Sequence, residues 1–113
     1  MPSLSLRINL DPEGRIGPGK VELLEKIASF GSISAAARAM QMSYKHAWDL
    51  LEEMNTTFGK PLISAQTGGK HGGGAQLTAL GRCVVERFRA IERAAMNAAR
   101  SHLKALQDEI ALS

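Results

Sequence analysis

The stretch GSISAAARAMQMSYKHAWDLLEEMNTTF, residues 31–58, decides the fold. Ile33, Ala36, Ala37 and Met40 recur at helical spacing and give one apolar face of a short helix. Ser32 precedes it and can cap its free N–H groups. The alanines are small enough to let a second helix cross closely. The link Gln41-Met42 is short, Met42 can tuck beneath it, and Ser43 reads as a second N-cap. Ala47, Leu50, Leu51, Met54 and Phe58 then form the inner face of a longer helix. Tyr44, Lys45, His46, Trp48, Asp49 and Glu52 point elsewhere. This is the layout of a helix-turn-helix, whose second helix enters a DNA major groove by its N-terminus. Two amphipathic helices also occur in many all-α proteins. Ser43, Tyr44, Lys45 and His46 favour nucleic acid, because all four can bond phosphates or base edges.

Outward from this pair, the chain reads consistently. Leu4, Leu6, Ile8 and Leu10 alternate with polar residues, which predicts a half-buried strand whose partner lies downstream. Asp11-Pro12-Glu13-Gly14 is a turn, and Gly17-Pro18-Gly19 opens a helix over about 20–30. Its inner stripe is Val21, Leu24, Ile27 and Ala28, and Gly31 is its stop. After Phe58, Gly59-Lys60-Pro61 ends the second helix of the pair. Residues 62–65 and 75–77 read as two strands around TGGKHGGG, a wing whose glycines let the backbone approach phosphates. The loop does not match GxxxxGK[ST], since His71 follows Lys70.

Thr78 caps a last helix predicted to reach about Leu112. Val84, Val85, Phe88, Ile91, Ala95, Ala99, Leu103, Leu106 and Ile110 recur along it. At about 1.5 Å per residue it would be about 50 Å long, whereas a domain of this size has a radius of gyration near ~13 Å. Its far half therefore needs a partner, which a second copy would supply. No Gly or Pro breaks it near Asn97 to let it fold back. The expected dimerisation residues are Phe88, Ile91, Ala95, Leu103, Leu106 and Ile110.

Composition sets the bounds. The 113 residues suffice for one domain, and 44% hydrophobic content argues for a folded chain. No apolar run approaches the ~18 residues of a membrane span. Cys83 is the only cysteine, so no internal disulfide can form, which fits a cytoplasmic location. The net charge is +3, but residues 60–104 hold eight basic residues against two acidic ones. That places positive charge where a wing and a following helix would flank DNA.

Together, GSISAAARAMQMSYKHAWDLLEEMN, GKPLI and TGGKHGGGAQLTALG resemble the N-terminal domain of the ModE family, the molybdate-responsive transcriptional regulators of bacteria. They more distantly resemble the LysR-type DNA-binding domain. The likeness covers about residues 17–90, and SYKHAWDL and TGGKHGGGA are its specific parts. It implies a dimeric, DNA-binding regulator of molybdenum uptake and molybdoenzyme genes. The family's recognition-helix and wing residues correspond to Ser43, Tyr44, Lys45, His46 and Trp48, and to Lys70 and His71. Ser32 and Ser34, at the start of the first helix of the pair, complete the candidate DNA-binding set. The family continues into a pair of small β-barrels that bind molybdate, and residues 1–113 contain no such barrel. No cofactor, metal or oxyanion site is therefore expected in this stretch.

The expected fold is mainly α: a single winged helix-turn-helix domain over 1–113. The strand, helices and wing lie in 1–77, and the dimerisation helix in 78–112. Expected partners are double-stranded DNA and a second copy, with no membrane. A metal or redox sensor would have to use His46, His71, His102 and Cys83, which lack the short spacings of metal sites. A hydrolase lacks a nucleophile motif such as GxSxG. A protein-protein adaptor is the remaining rival, distinguished by indifference to DNA. Trp48 lies between the apolar and polar faces, where propping a neighbour competes with stacking on a sugar.

Overall fold

The computed structural model describes residues 1–66 and 74–111, so Lys70 and His71 lie outside the described residues. The elements in order are β1 (Ile8–Asn9), β2 (Arg15–Ile16), α1 (Pro18–Phe30), α2 (Ile33–Ala39), α3 (Tyr44–Phe58), β3 (Ile63–Gln66), β4 (Gly74–Leu77) and α4 (Ala79–Asp108). This is a winged helix-turn-helix with a long final helix, as the periodicities predict.

Local chemistry accounts for most element ends. Pro18 occupies the first turn of α1, where its missing N–H costs nothing, so the helix starts two residues earlier than expected. Gly31 and Gly59 close α1 and α3 in the left-handed region, at φ 69° and 70°. Ser32, Ser43 and Thr78 each accept a backbone N–H three residues on, from Ala35, His46 and Gly81.

The core is formed by Val21, Leu23, Leu24 and Ile27 of α1 with Leu51 and Met54 of α3, Leu62, and Phe88 of α4. Burying a leucine in it contributes about 1.5–3 kcal/mol. Ala36, Ala37 and Ala47 have almost no exposed surface, and they let α2 cross α3 closely. Met42 is half-buried against the core, as the short turn requires.

Several expectations need correction. The first strand covers only Ile8–Asn9 and pairs with Arg15–Ile16, not with the downstream wing. The Asp11–Gly14 turn folds the chain straight back, and Leu10 N–H donates to the Gly14 carbonyl at 2.8 Å. The wing strands pair with each other, Ile63 opposite Leu77. The α1 stripe includes Leu23, and Ala28 is exposed, because α1 is covered on two sides.

Helix α4 is unbroken past Asn97 but ends at Asp108, so Ile110 lies beyond it. Phe88 is 2% exposed and belongs to the domain core rather than to an outward stripe. Beyond Phe88 the helix projects from the body, and the molecule measures 60 × 34 × 20 Å. Its far half is not bare, since Met1 and Pro2 lie in a cleft beside Met96, Arg100 and Gln107.

Candidate nucleic-acid interface

The exposed end of α3 is built by its cap. Ser43 Oγ accepts from His46 N–H at 3.0 Å, which ends the turn and aims the helix start outward. The chain reaches that cap through Gln41, a non-glycine residue at φ 57°, and the turn is closed by Met42 N–H to the Ala37 carbonyl at 3.0 Å. Free N–H groups at this end carry partial positive charge and suit phosphate oxygens.

Tyr44, Lys45 and His46 form the first turn of α3, and all three are exposed. Tyr44 meets Trp48 edge-to-face, with ring centroids 6.2 Å apart. Trp48 is itself half-buried against the core. Its ring thus anchors Tyr44, a core-edge role, and leaves the phenol outermost. Lys45 Nζ pairs with Asp49 at 3.0 Å one turn on, with the lysine side chain 85% exposed. Such a pair is weak in water, about 0.3–0.5 kcal/mol, so Lys45 can exchange Asp49 for a phosphate or a base edge.

His46 lies on the flank of α3, in a cleft with Met42, Leu50 and the start of α1. Arg7, Arg15 and Lys20 line the same cleft. The sequence reading did not single out these three, because they come from separate segments. Lys20 is partly neutralised, being 3.1 Å from Glu53 and donating to the Arg15 carbonyl. Glu53 was expected on a solvated face, and the ion pair ties it to α1 instead. Ser32 is occupied as the cap of α2, and Ser34 is half-buried on that helix. Ala75 N–H donates to the Gly31 carbonyl at 2.9 Å, so the wing is fastened beside the start of α2. Arg82 Nη1 donates to the Leu77 carbonyl at 3.1 Å, which joins β4 to α4.

One polar link sets the direction of α4. Arg89 binds both carboxylate oxygens of Glu25 on α1, at 2.6 and 3.0 Å, and Glu92 at 2.7 Å. The hydrogen-bonded Arg89 guanidinium holds the Glu25 carboxyl below its ordinary value, against the opposing effect of partial burial. Its two carboxylate partners raise Arg89 in turn. Among the described residues, no group of three His, Cys, Asp or Glu is placed to hold a metal ion.

A capped helix pair, an adjoining two-stranded wing and a long trailing helix define a winged helix-turn-helix protein. The profile of the family described as bacterial regulatory helix-turn-helix protein, lysR family, matches residues 19–82, and the chain belongs to that family. It is 47% identical over 78 residues to the molybdenum-pterin-binding protein MopB of Rhodobacter capsulatus, covering 69% of this chain and 29% of MopB. It is 41% identical over 104 residues to the transcriptional regulator ModE of Haemophilus influenzae, covering 92% of this chain and 39% of that protein. It is 44% identical over 71 residues to the DNA-binding transcriptional dual regulator ModE of Escherichia coli, covering 63% and 27%. The chain thus spans about a third of the length of the curated relatives it matches. Among solved structures, the CbnR_DBD–DNA complex shares the fold at a TM-score of 0.58 and 24% identity, covering 77% of this chain and 95% of that one. Full-length LysG of Corynebacterium glutamicum with bound effector Arg matches at 0.59 and 21% identity, covering 86% and 31%. No helix of the described residues is long and apolar enough to cross a membrane.

Proposed function

We propose that the chain is the sequence-specific DNA-binding part of a ModE-like transcriptional regulator that acts as a two-fold dimer in the cytoplasm and is not an enzyme. The observation that carries this is the first turn of α3. Tyr44, Lys45 and His46 stand exposed on a capped helix start with free N–H groups behind them. Relatives named as molybdenum transport and ModE regulators support genes of molybdenum handling as the targets. We assign no effector or cofactor to the described residues. The wing residues Lys70 and His71 enter this reading as backbone contacts, on the sequence pattern alone.

The test is binding to duplexes selected from a random pool, measured by fluorescence anisotropy at several salt concentrations. The logarithm of the association constant should fall against the logarithm of salt with a slope of roughly −5 to −7, as for about six to eight phosphate contacts. Selected sites should be inverted repeats with half-sites about 34 Å apart or a multiple. A flat salt response with no enriched sequence would remove the reading and favour a protein partner.

A further inference from the structure

Helix α4 carries an apolar face that outlasts the core. Val84 and Phe88 enter the core, and the same face continues as Ile91, Ala95, Ala98, His102 and Leu106. The N-terminal arm covers a different flank, that of Met96, Arg100 and Gln107. Ile91, Leu106 and Ile110 are left 44%, 69% and 57% exposed. At the other end of the helix a groove opens between the β1–β2 hairpin and the first turns of α4. Ile8, Ile16 and Phe58 form one wall, and Leu80, Cys83 and Ile91 the other. The groove offers no polar surface, and Arg87 at its rim makes no ion pair with the described residues.

We propose that this groove receives Leu106 and Ile110 of a second copy, in an antiparallel pairing of two α4 helices centred between Ala95 and Ala98. The inference rests on the dimeric reading above and adds its direction, register and contacts. An interface about a two-fold axis must be self-complementary, so that residue i meets j and j meets i. The exposed stripe satisfies this in one register. Ala95 faces Ala98 of the second copy, Ile91 faces His102, Arg87 faces Leu106, and Cys83 faces Ile110. Ala94, Ala95, Ala98 and Ala99 surround the axis, and small side chains there allow the helices to approach to about 8 Å. The two ends then match in character. The exposed apolar side chains of the far half meet the apolar groove of the near half, and Glu109 comes beside Arg87. A parallel pairing would set Arg87 against its own copy and leave the groove empty.

Cys83 provides the test, because it is the only cysteine. In the full chain, Ile110→Cys should form a disulfide to Cys83 of the second copy under mild oxidation, seen as a dimer band on a non-reducing gel. Adding Cys83→Ser should abolish the band, since the two substituted positions would then lie about 40 Å apart at about 1.5 Å per residue. Wild type should not cross-link, for the same reason. An independent pair, Arg87→Cys with Leu106→Cys in a Cys83→Ser background, should cross-link as well, which guards against fraying near Ile110. Cross-linking of wild type through Cys83 would establish a parallel pairing and overturn the proposal. A chain that sediments as a dimer while neither engineered pair cross-links would overturn the register and leave the dimer standing. A chain that sediments as a monomer at tens of micromolar would remove the dimer itself.

Discussion

Replacing Gly81 by alanine should destabilise the fold although it puts a better helix former into α4. Gly81 lies in the first turn, where its N–H donates to the Thr78 cap at 3.1 Å. A Cβ at this position would fall well inside contact distance of the Leu62 carbonyl oxygen. It would also lie 3.2 Å from the Leu62 carbonyl carbon and 3.3 Å from Leu77 Cβ. The crowded atoms are backbone, and the same Leu62 carbonyl accepts Thr78 N–H at 2.9 Å, so neither side can yield without loosening the other. Overpacking of this kind costs about 1–3 kcal/mol, and a rigid backbone neighbour puts it at the upper end. Against that, alanine gains at most about 1 kcal/mol in helix propensity. The net loss of about 2 kcal/mol corresponds to a Tm lowered by about 8 °C in a chain of this size. Gly19 is the control. It too lies in a first helical turn, but nothing comes within 4 Å of its virtual Cβ. Gly19→Ala should therefore gain about 0.4–1 kcal/mol and raise Tm by a few degrees. Thermal unfolding followed by circular dichroism at one fixed protein concentration measures both. A Gly81→Ala chain melting at or above wild type would refute the close approach of α4 to Leu62.

Lys45→Ala should cost about 1–3 kcal/mol on the selected site and change which bases are preferred, while Asp49→Asn, which frees Lys45, should tighten binding to all duplexes; anisotropy titrations decide. Glu25 is held below its model value of 4.5 in the folded state, so its contribution is present above that pH and is lost as pH falls through the folded pKa. Glu25→Gln should accordingly flatten the acid limb of the stability curve below about pH 4.5, and an unchanged limb in urea melts at pH 3–5 would count against the Arg89 bridge. Leu106→Arg should shift the sedimentation of the chain toward monomer with its circular dichroism spectrum intact, since Leu106 is 69% exposed and outside the core.

The helix pair was legible from Gly31 to Phe58 because its signals are local. The caps Ser32, Ser43 and Thr78 and the left-handed glycines Gly31 and Gly59 act on N–H and carbonyl groups a few residues away. Apolar spacing within one helix also sufficed to find Ala47, Leu51 and Met54. The candidate contacts at Tyr44, Lys45 and His46 were legible for the same reason, as they follow directly from where α3 begins. What tertiary structure decided was set by residues remote in the chain. The partner of Ile8 is Ile16 because the Asp11–Gly14 turn closes first, although alternation alone left the pairing open. Leu23 is buried and Ala28 exposed because α1 is covered by neighbours on two sides rather than one. Phe88 and Ile91 look alike in the sequence, yet the body of the domain ends between them. The approach of Gly81 to Leu62, and the bridge from Arg89 to Glu25 across 64 residues, leave no periodic trace. Hydrogen bonding and side-chain period act within a turn or two of helix, whereas burial and charge pairing depend on which surfaces meet after the chain has folded.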